Sequence, residues 1–183
     1  MGMLSAFAPD QVARCVTEID LDALAERGTE GLLIDVDNTL LGHGAPGIEP
    51  ERLAWARRAT ERFPVCLLSN SVRGLRVRQV SRELGVPGIS VWHWQRKPLS
   101  GGYRRALAEI GTEPERTAMI GDQLMTDIWG ANRCGLYTIW VQPVSPREFV
   151  FTRHVHRRLE ACIARKLTAA GLMPPYPEAG DEA

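Results

Sequence analysis

Four aspartates stand out in this sequence because they come in two close pairs. Asp35 and Asp37 lie two residues apart in DVDNTL, and Asp122 and Asp127 lie five apart in GDQLMTD. Carboxylates that share one cleft raise each other's pKa unless a cation neutralises them. Oxygen ligands without histidine or cysteine are typical of magnesium rather than of zinc or copper. The pairs therefore predict an Mg²⁺ site, and its metal could also admit a phosphate dianion.

Short apolar runs precede these aspartates and recur along the chain. They predict buried strands over 31–36, 65–70, 88–92, 117–122 and 137–141. Segments with helical spacing alternate with the strands, over 49–63, 72–85, 98–111 and 123–135. Continuous apolar strands joined by helical crossovers predict an α/β fold, in which a doubly wound, parallel, five-stranded sheet carries helices on both faces.

Polar residues cluster where the predicted strands end. In chain order they are Asp35 and Asp37, Ser69 and Asn70, Lys97, and Asp122 with Asp127. The carboxyl ends of the strands of a doubly wound sheet line one cleft, so the sequence predicts that these side chains meet. Taken singly, four of them also fit a structural role: a turn for Asp37, a helix N-cap for Ser69 and Asp122, and a solvated side chain for Lys97.

Helices are also predicted outside the sheet, over 9–16, 20–27 and 152–171. The last contains five Arg or Lys and one Glu between 153 and 167, beside an apolar stripe. Such a helix could lie on an anionic bilayer, or it could dock on the sheet with its charges outward. Because the acidic motifs lie earlier in the chain, we expect removal of 150–183 to spare the chemistry of the cleft.

The composition fits one compact domain, predicted over 1–173, with a disordered tail over 174–183. Lys plus Arg equals Asp plus Glu at 22 each, which argues against a nucleic-acid partner. The four cysteines form no CxxC pair, which indicates thiols in a reducing compartment. The sequence has no signal-peptide pattern and no apolar run of about 20 residues. We therefore expect a cytoplasmic protein whose membrane contact, if any, is peripheral.

The order of the motifs resembles the haloacid dehalogenase (HAD) superfamily of aspartate-nucleophile phosphatases: DxDxT, then a serine, then Lys-Pro, then GDxxxTD. The segments GLLIDVDNTL, GDQLMTD and NRCGLYTI look more closely like the YqeG-like subclass III branch, which includes phosphatidylglycerophosphate phosphatases. The resemblance runs from about Phe7 to Leu172 and implies a Rossmann-like HAD core. Ser71 stands where a second asparagine is expected after Asn70, so it is not assigned a role.

The resemblance implies roles for the residues after the first two strands. Asp35 is the expected nucleophile and a direct metal ligand. Asp37 is expected to protonate the leaving alkoxide and then to activate water, while its backbone carbonyl reaches the metal. Ser69 and the amide of Asn70, at the start of a helix, are expected to hold phosphoryl oxygens.

The same resemblance assigns the later residues. Lys97 is expected to balance the charge of Asp35 and of the transferring phosphoryl group, and so to take part in both catalysis and phosphate binding. Asp122 is expected to ligate the metal directly. Asp127 is expected to orient metal-bound water or Lys97. The implied cofactor is Mg²⁺.

The short gaps between the motifs bear on the substrate. One helix and one strand fill each gap, from Asp35 to Ser69 and from Ser69 to Lys97, which leaves no room for a cap domain. An open site favours bulky phosphomonoesters. The resemblance makes phosphatidylglycerophosphate the leading substrate, with a role in phospholipid biosynthesis, and a soluble or macromolecular phosphomonoester the alternative. A non-catalytic phosphoacceptor module and an inactive scaffold are rival hypotheses, which the complete set of motifs disfavours.

Overall fold

The computed structural model describes residues 4–42, 44–71, 74–92, 95–145 and 151–177, with the backbone alone for 151–157. Within these residues six parallel strands form one sheet. The strands are β1 (Gln11–Ala13), β2 (Gly31–Ile34), β3 (Val65–Ser69), β4 (Gly88–Ser90), β5 (Thr117–Gly121) and β6 (Tyr137–Val141). Their order across the sheet is β1-β6-β5-β2-β3-β4. The predicted α/β class and the parallel sheet are confirmed.

Among the described residues, five α-helices lie in the connections between strands, and a sixth follows the last strand. They are α1 (Leu21–Glu26), α2 (Pro50–Arg62), α3 (Leu75–Leu84), α4 (Ser100–Ile110), α5 (Trp129–Asn132) and α6 (Phe151–Ala169). Short 3₁₀ turns occupy Ser5–Phe7, Val16–Glu18 and Pro114–Arg116, and a π-helical turn spans Leu124–Ile128. The predicted helix over 123–135 is therefore divided between this π-helical turn and the four residues of α5.

The sheet has a hydrophobic core on each face, as a doubly wound fold requires. Alternate residues of β2 point to opposite sides: Leu32 and Ile34 pack with α2 and α3, whereas Leu33 packs with α4 and α5. All four residues of this strand are buried. The continuous apolar run therefore reflects a central strand that is covered on both faces.

The switch point of the sheet lies between β2 and β5. From β2 the chain builds β3 and β4 on one side, and it then crosses back to build β5 and β6 on the other. The register pairs Ile34 of β2 with Ile120 of β5, so the two strands end side by side. In such a sheet the crevice at the switch point is where sites form.

The sixth strand corrects the sequence prediction at the N-terminus. The segment 9–16 was predicted to be helical, but it contains β1, which pairs in parallel with β6. The Asp10 carboxylate accepts hydrogen bonds from the backbone N–H and the hydroxyl of Thr138, at 2.8 and 3.0 Å. Tertiary pairing thus overrides a weak local helical pattern. The predicted helix over 20–27 is confirmed as α1.

The C-terminal helix α6 docks on the sheet domain. Leu167 is fully buried with Leu124 and Ile128, and Ile163 packs against the same cluster. The docked arrangement is therefore the one that the described residues adopt. Beyond α6, the hydroxyl of Tyr176 accepts a hydrogen bond from Gln142 at 3.1 Å, and residues 178–183 of the expected tail lie outside the description. Among the described helices, none combines the length and apolar character of a membrane span.

Candidate active site

The ammonium group of Lys97 is the centre of the candidate site. Its Nζ lies 2.6 Å from Asp35 Oδ1 and 2.7 Å from Asp127 Oδ1, and it donates to the carbonyl oxygen of Leu68 at 2.7 Å. These three acceptors match the three protons of an ammonium. The residue is 3% exposed, so the alternative of a solvated lysine is wrong.

The switch point brings the two acidic motifs together. Asp35 follows β2 directly, and its N–H donates to the carbonyl of Ile120 at 2.9 Å. Asp122 follows β5, the neighbouring strand, and Asp127 lies in the π-helical turn that comes next. One carboxylate oxygen from each of the three aspartates lies within 4.8 Å of the others. These three residues therefore lie together, as the sequence predicts.

The donor set of this cluster fits a hard divalent cation. The ligand atoms are carboxylate oxygens, which magnesium prefers. Asp122 Oδ1 is buried, and it has no hydrogen-bond partner among the described residues. A buried carboxylate oxygen without a donor is costly, and a cation beside it would remove that cost.

Asp127 is already held by protein donors. Its Oδ1 contacts Lys97, and its Oδ2 accepts a hydrogen bond from the Gln123 N–H at 3.0 Å. These contacts leave it less suited to direct coordination than Asp35 or Asp122. Of the two roles predicted for Asp127, to orient metal-bound water or to orient Lys97, the contact with Lys97 bears on the second.

Burial and charge repulsion shift the protonation equilibria of the cluster. Burial, together with repulsion from Asp127 and Asp37, raises the pKa of Asp35 to about 7, although Lys97 opposes the shift. Burial and the neighbouring carboxylates of Asp35 and Asp127 raise the pKa of Asp122 well above its ordinary value. Burial alone would lower the pKa of Lys97, but Asp127 and Asp35 outweigh it and raise that pKa. Full ionisation of the three aspartates would give the cluster more negative charge than its one lysine balances, so the metal-free cluster retains protons instead.

Asp37 lies at the edge of the cluster, with its side chain 27% exposed. Its Oδ2 accepts a hydrogen bond from the Ser69 hydroxyl at 3.3 Å, and its Oδ1 lies 3.1 Å from Nη1 of Arg76. It follows Asp35 by two residues and is more accessible than that residue. This placement suits a group that must exchange a proton with a substrate or with water.

Ser69 and Asn70 differ in surroundings from the sequence prediction. The helix after them begins at Leu75, so neither residue lies at a helix N-terminus, and that part of the prediction is wrong. The Ser69 hydroxyl accepts a hydrogen bond from the Ser71 N–H at 3.1 Å. The Asn70 side chain donates to the Lys97 carbonyl at 3.0 Å and accepts from the Lys97 N–H at 2.9 Å. Asn70 thus fixes the backbone that carries the lysine.

Comparison with known proteins identifies the family. The HAD-hydrolase-like family model matches residues 94–143. The probable phosphatase YqeG of Bacillus subtilis is 35% identical over 164 residues, which cover 87% of this chain and 93% of the relative. The chain belongs to the YqeG-like branch of the HAD superfamily. It is a HAD-type phosphatase, a phosphoric monoester hydrolase.

Two further relatives of this HAD phosphatase have more specific names. The chloroplastic phosphatidylglycerophosphate phosphatase 1 of Chlamydomonas reinhardtii is 31% identical, over 95% of this chain and 67% of the relative. The chloroplastic/mitochondrial protein of that name in Arabidopsis thaliana is 28% identical, over 85% of this chain. This chain covers 47% of the Arabidopsis protein.

Three side chains that the sequence did not predict contact residues of the HAD site. Arg76 contacts Asp37, and Trp140 Nε1 donates to the Asp122 carbonyl at 2.9 Å. The Tyr103 hydroxyl donates to the carbonyl of Thr126, the residue before Asp127. These side chains come from α3, β6 and α4, where their spacing has no motif to reveal them. The three side chains have in common only that they lie near the carboxyl ends of the strands. That proximity is visible only in the tertiary structure.

Gly121 is a site residue of a different kind, because its hydrogen makes room for Asp127. A Cβ added to Gly121 would overlap the Asp127 carboxylate group. The glycine of the GD motif is thus explained by close packing. It allows Asp127 to lie over the end of β5 and reach Lys97.

Proposed function

We propose that this phosphatase hydrolyses phosphomonoesters in two steps through an aspartyl-phosphate on Asp35, with Mg²⁺ as cofactor. The observation that carries the proposal is the buried contact of Lys97 with both Asp35 and Asp127, beside the more accessible Asp37. In this arrangement Asp35 would be the nucleophile, Lys97 a fixed positive charge and Asp37 the proton-transfer group. Each of the three is needed for phosphoryl transfer to a carboxylate.

In the first step, a carboxylate oxygen of Asp35 attacks phosphorus. The bond between phosphorus and the ester oxygen breaks, and the electron pair leaves with that oxygen. Asp37 gives its proton to the leaving alkoxide, so an alcohol departs. Lys97 stays protonated throughout and offsets charge on Asp35 and on the phosphoryl oxygens.

In the second step, Asp37 accepts a proton from water as the water oxygen attacks phosphorus. The bond between phosphorus and Asp35 breaks, which releases inorganic phosphate and restores the Asp35 carboxylate. Asp37 is left protonated for the next cycle, so the protons balance. The Ser69 hydroxyl and the backbone N–H of Asn70 are proposed to hold phosphoryl oxygens in both steps.

The residues proposed to hold Mg²⁺ are Asp35, Asp122 and the backbone carbonyl of Asp37. When bound, the metal would neutralise carboxylate charge and let a phosphate dianion approach. Asp127 would act beside it by fixing Lys97. The partnerless oxygen of Asp122 and the oxygen-only donor set support this assignment.

The proposed substrate is phosphatidylglycerophosphate. Two relatives are named for that activity, and the described residues between the motifs form core helices, core strands and the loops that join them, without a cap domain over the cleft. We accordingly propose that residues 1–173 work as one domain in the cytoplasm, touching an anionic membrane peripherally and without a nucleic-acid partner. A soluble or macromolecular phosphomonoester is the second candidate.

The test is a substrate panel combined with trapping of the phosphoenzyme. The purified protein is assayed with Mg²⁺ on phosphatidylglycerophosphate in vesicles, glycerol phosphate, a nucleotide and a phosphopeptide. Asp35→Asn is the matched variant, because an amide of the same shape is too poor a nucleophile to form the intermediate. We expect acid-stable labelled protein with wild type and none with Asp35→Asn. Full turnover by Asp35→Asn would refute the covalent step, and preference for a soluble ester would refute the lipid assignment alone.

A further inference from the structure

Arg76 joins Asp37 to the loop that follows it. Nη1 of the guanidinium lies 3.1 Å from Asp37 Oδ1. Nη2 donates to the carbonyl of Gly42, and it lies 3.4 Å from the carbonyl oxygen of Leu41. One side chain from α3 therefore contacts both ends of the loop between Asp37 and Gly42.

Backbone contacts within this loop fold it tightly, independently of the arginine. Asp37 and Leu41 form an isolated parallel bridge, and the Asn38 N–H donates to the Leu41 carbonyl at 2.9 Å. Asn38 has a left-handed backbone, with φ of 64°. The Arg76 guanidinium adds contacts to this turn, so the position of Asp37 relative to the turn is held by both backbone and side chain.

The start of α3 fixes where Arg76 lies. Gly74 precedes the helix with φ of +58°, and a Cβ there would lie 2.7 Å from the Ser90 hydroxyl oxygen. Only glycine fits this close approach between the helix start and β4. Val77 and Val80 anchor the helix in the core. Arg76 therefore reaches Asp37 from a helix whose start and buried face are both packed against the rest of the domain.

We propose that Arg76 is a positioning residue that orients the Asp37 carboxyl group for proton transfer. This inference rests on the proposed function. Arg76 contacts Oδ1 of Asp37, whereas Oδ2 of Asp37 accepts a hydrogen bond from Ser69, the last residue of β3. A guanidinium cannot accept a proton in exchange, so Oδ2 is the oxygen that exchanges protons with the leaving group and with water.

This role has a kinetic signature that general damage to the site would not produce. Proton donation matters greatly for an alkyl leaving group and little for a nitrophenyl one, because nitrophenolate leaves readily without a proton. The kcat/KM value reports the first phosphoryl transfer. Loss of Arg76 should therefore lower kcat/KM for an alkyl phosphate and spare it for an aryl phosphate. Water activation in the second step should slow with either substrate.

The experiment compares Arg76→Ala and Arg76→Lys with Arg82→Ala, an exposed arginine on the same helix. The substrates are glycerol phosphate and p-nitrophenyl phosphate. For Arg76→Ala we expect kcat/KM to fall by about 30-fold on the alkyl ester and by less than about threefold on the aryl ester. With the aryl ester, a burst of nitrophenol and accumulated phosphoenzyme are expected. Millimolar methylguanidinium should partly restore the alkyl activity, and Arg82→Ala should match wild type.

Other outcomes separate the inference from the function on which it rests. Equal losses of kcat/KM with both esters, without a burst of nitrophenol, would overturn the positioning role of Arg76. They would leave the aspartyl-phosphate mechanism intact. Unchanged kinetics in both Arg76 variants would overturn the positioning role as well. Circular dichroism and thermal unfolding check folding; if Arg76→Ala unfolds, Arg76→Lys provides the same comparison of leaving groups. Failure of wild type to form a phosphoenzyme would instead refute the proposed function.

Discussion

Lys97 Nζ lies 2.6 Å from Asp35 Oδ1, and the two side chains are only 1% and 8% exposed. Removing one partner of such a buried pair leaves the other charge uncompensated, at a cost of about 3–5 kcal/mol. Here Asp127 would lose its ion pair with Lys97, and Asp122 would lose the favourable charge of that lysine. The stability of the metal-free protein therefore depends on this lysine as much as the chemistry does.

Lys97→Met should consequently abolish phosphatase activity and lower the free energy of unfolding by about 3 kcal/mol at neutral pH in EDTA. Urea denaturation measures the second effect. Lys166→Met is the matched control, because Lys166 is exposed on α6. A Lys97→Met protein as stable and as active as wild type would show that this ammonium is needed neither for folding nor for catalysis.

Gly121→Ala tests the close packing beneath Asp127. The added methyl group must displace the Asp127 carboxylate and so break its contact with Lys97. We expect kcat to fall by about 100-fold, in line with the loss of a precisely placed charged group. Gly47→Ala is the control, since an added Cβ there meets no atom within 4 Å. Steady-state kinetics of the two variants give the comparison, and equal activities would show that Asp127 needs no such room.

The metal assignment predicts activity with Mg²⁺ and its loss in EDTA. Ca²⁺ should inhibit, because the larger ion accepts more ligands and can chelate both oxygens of Asp35, which occupies the attacking lone pair. Initial rates at fixed substrate, with each ion added back after stripping, measure the effect. Undiminished turnover in EDTA, or a strict need for zinc, would exclude the proposed cofactor.

The raised pKa of Asp35 predicts a pH dependence of stability. The folded, metal-free protein holds this proton up to about pH 7, whereas the unfolded chain releases it near the ordinary value of 3.8. Between these values the folded state binds more protons, so the contribution of Asp35 to stability falls as pH rises. Mg²⁺ competes with the proton, so it should raise Tm more at pH 8 than at pH 5. Thermal unfolding with and without Mg²⁺ measures this, and Asp35→Asn should flatten the difference.

Glu160 links α6 to the active site. Its Oε1 accepts a hydrogen bond from the Met125 N–H at 3.0 Å, within the π-helical turn that carries Asp127. Contrary to the expectation from sequence, deletion of 150–183 should therefore lower hydrolysis of a soluble ester, because it removes both this contact and the buried Leu167.

Single substitutions test that link without removing the helix. Glu160→Ala should weaken Mg²⁺ activation, whereas Glu160→Gln, which keeps an acceptor for the Met125 N–H, should retain most of it. The Mg²⁺ concentration for half-maximal activity measures the difference. If the deletion and both variants hydrolyse a soluble ester as fast as wild type, α6 has no influence on the site. Removal of 150–183 would then spare the chemistry, as expected from the sequence.

The sequence by itself determined the core strands and the identity of the chemical groups. Short apolar runs such as GLLIDV, alternating with helical segments, indicate buried strands, and parallel strands bring Asp35 and Asp122 to one edge of the sheet. The residue pattern was enough to predict these strands because burial on both faces requires apolar residues at several consecutive positions. The N-terminal strand escaped prediction because its three residues carry too little pattern, and pairing with β6 decides their conformation.

Tertiary structure alone decided which groups surround the aspartates. Arg76, Trp140 and Glu160 reach the site from three different elements, and nothing in their spacing distinguishes them from surface or packing residues. The same holds for Asn70, whose side chain fixes the Lys97 backbone. Contacts of this kind depend on distances between side chains far apart in the chain. Local sequence patterns encode burial and periodicity, and such distances exist only once the helices have packed on the sheet.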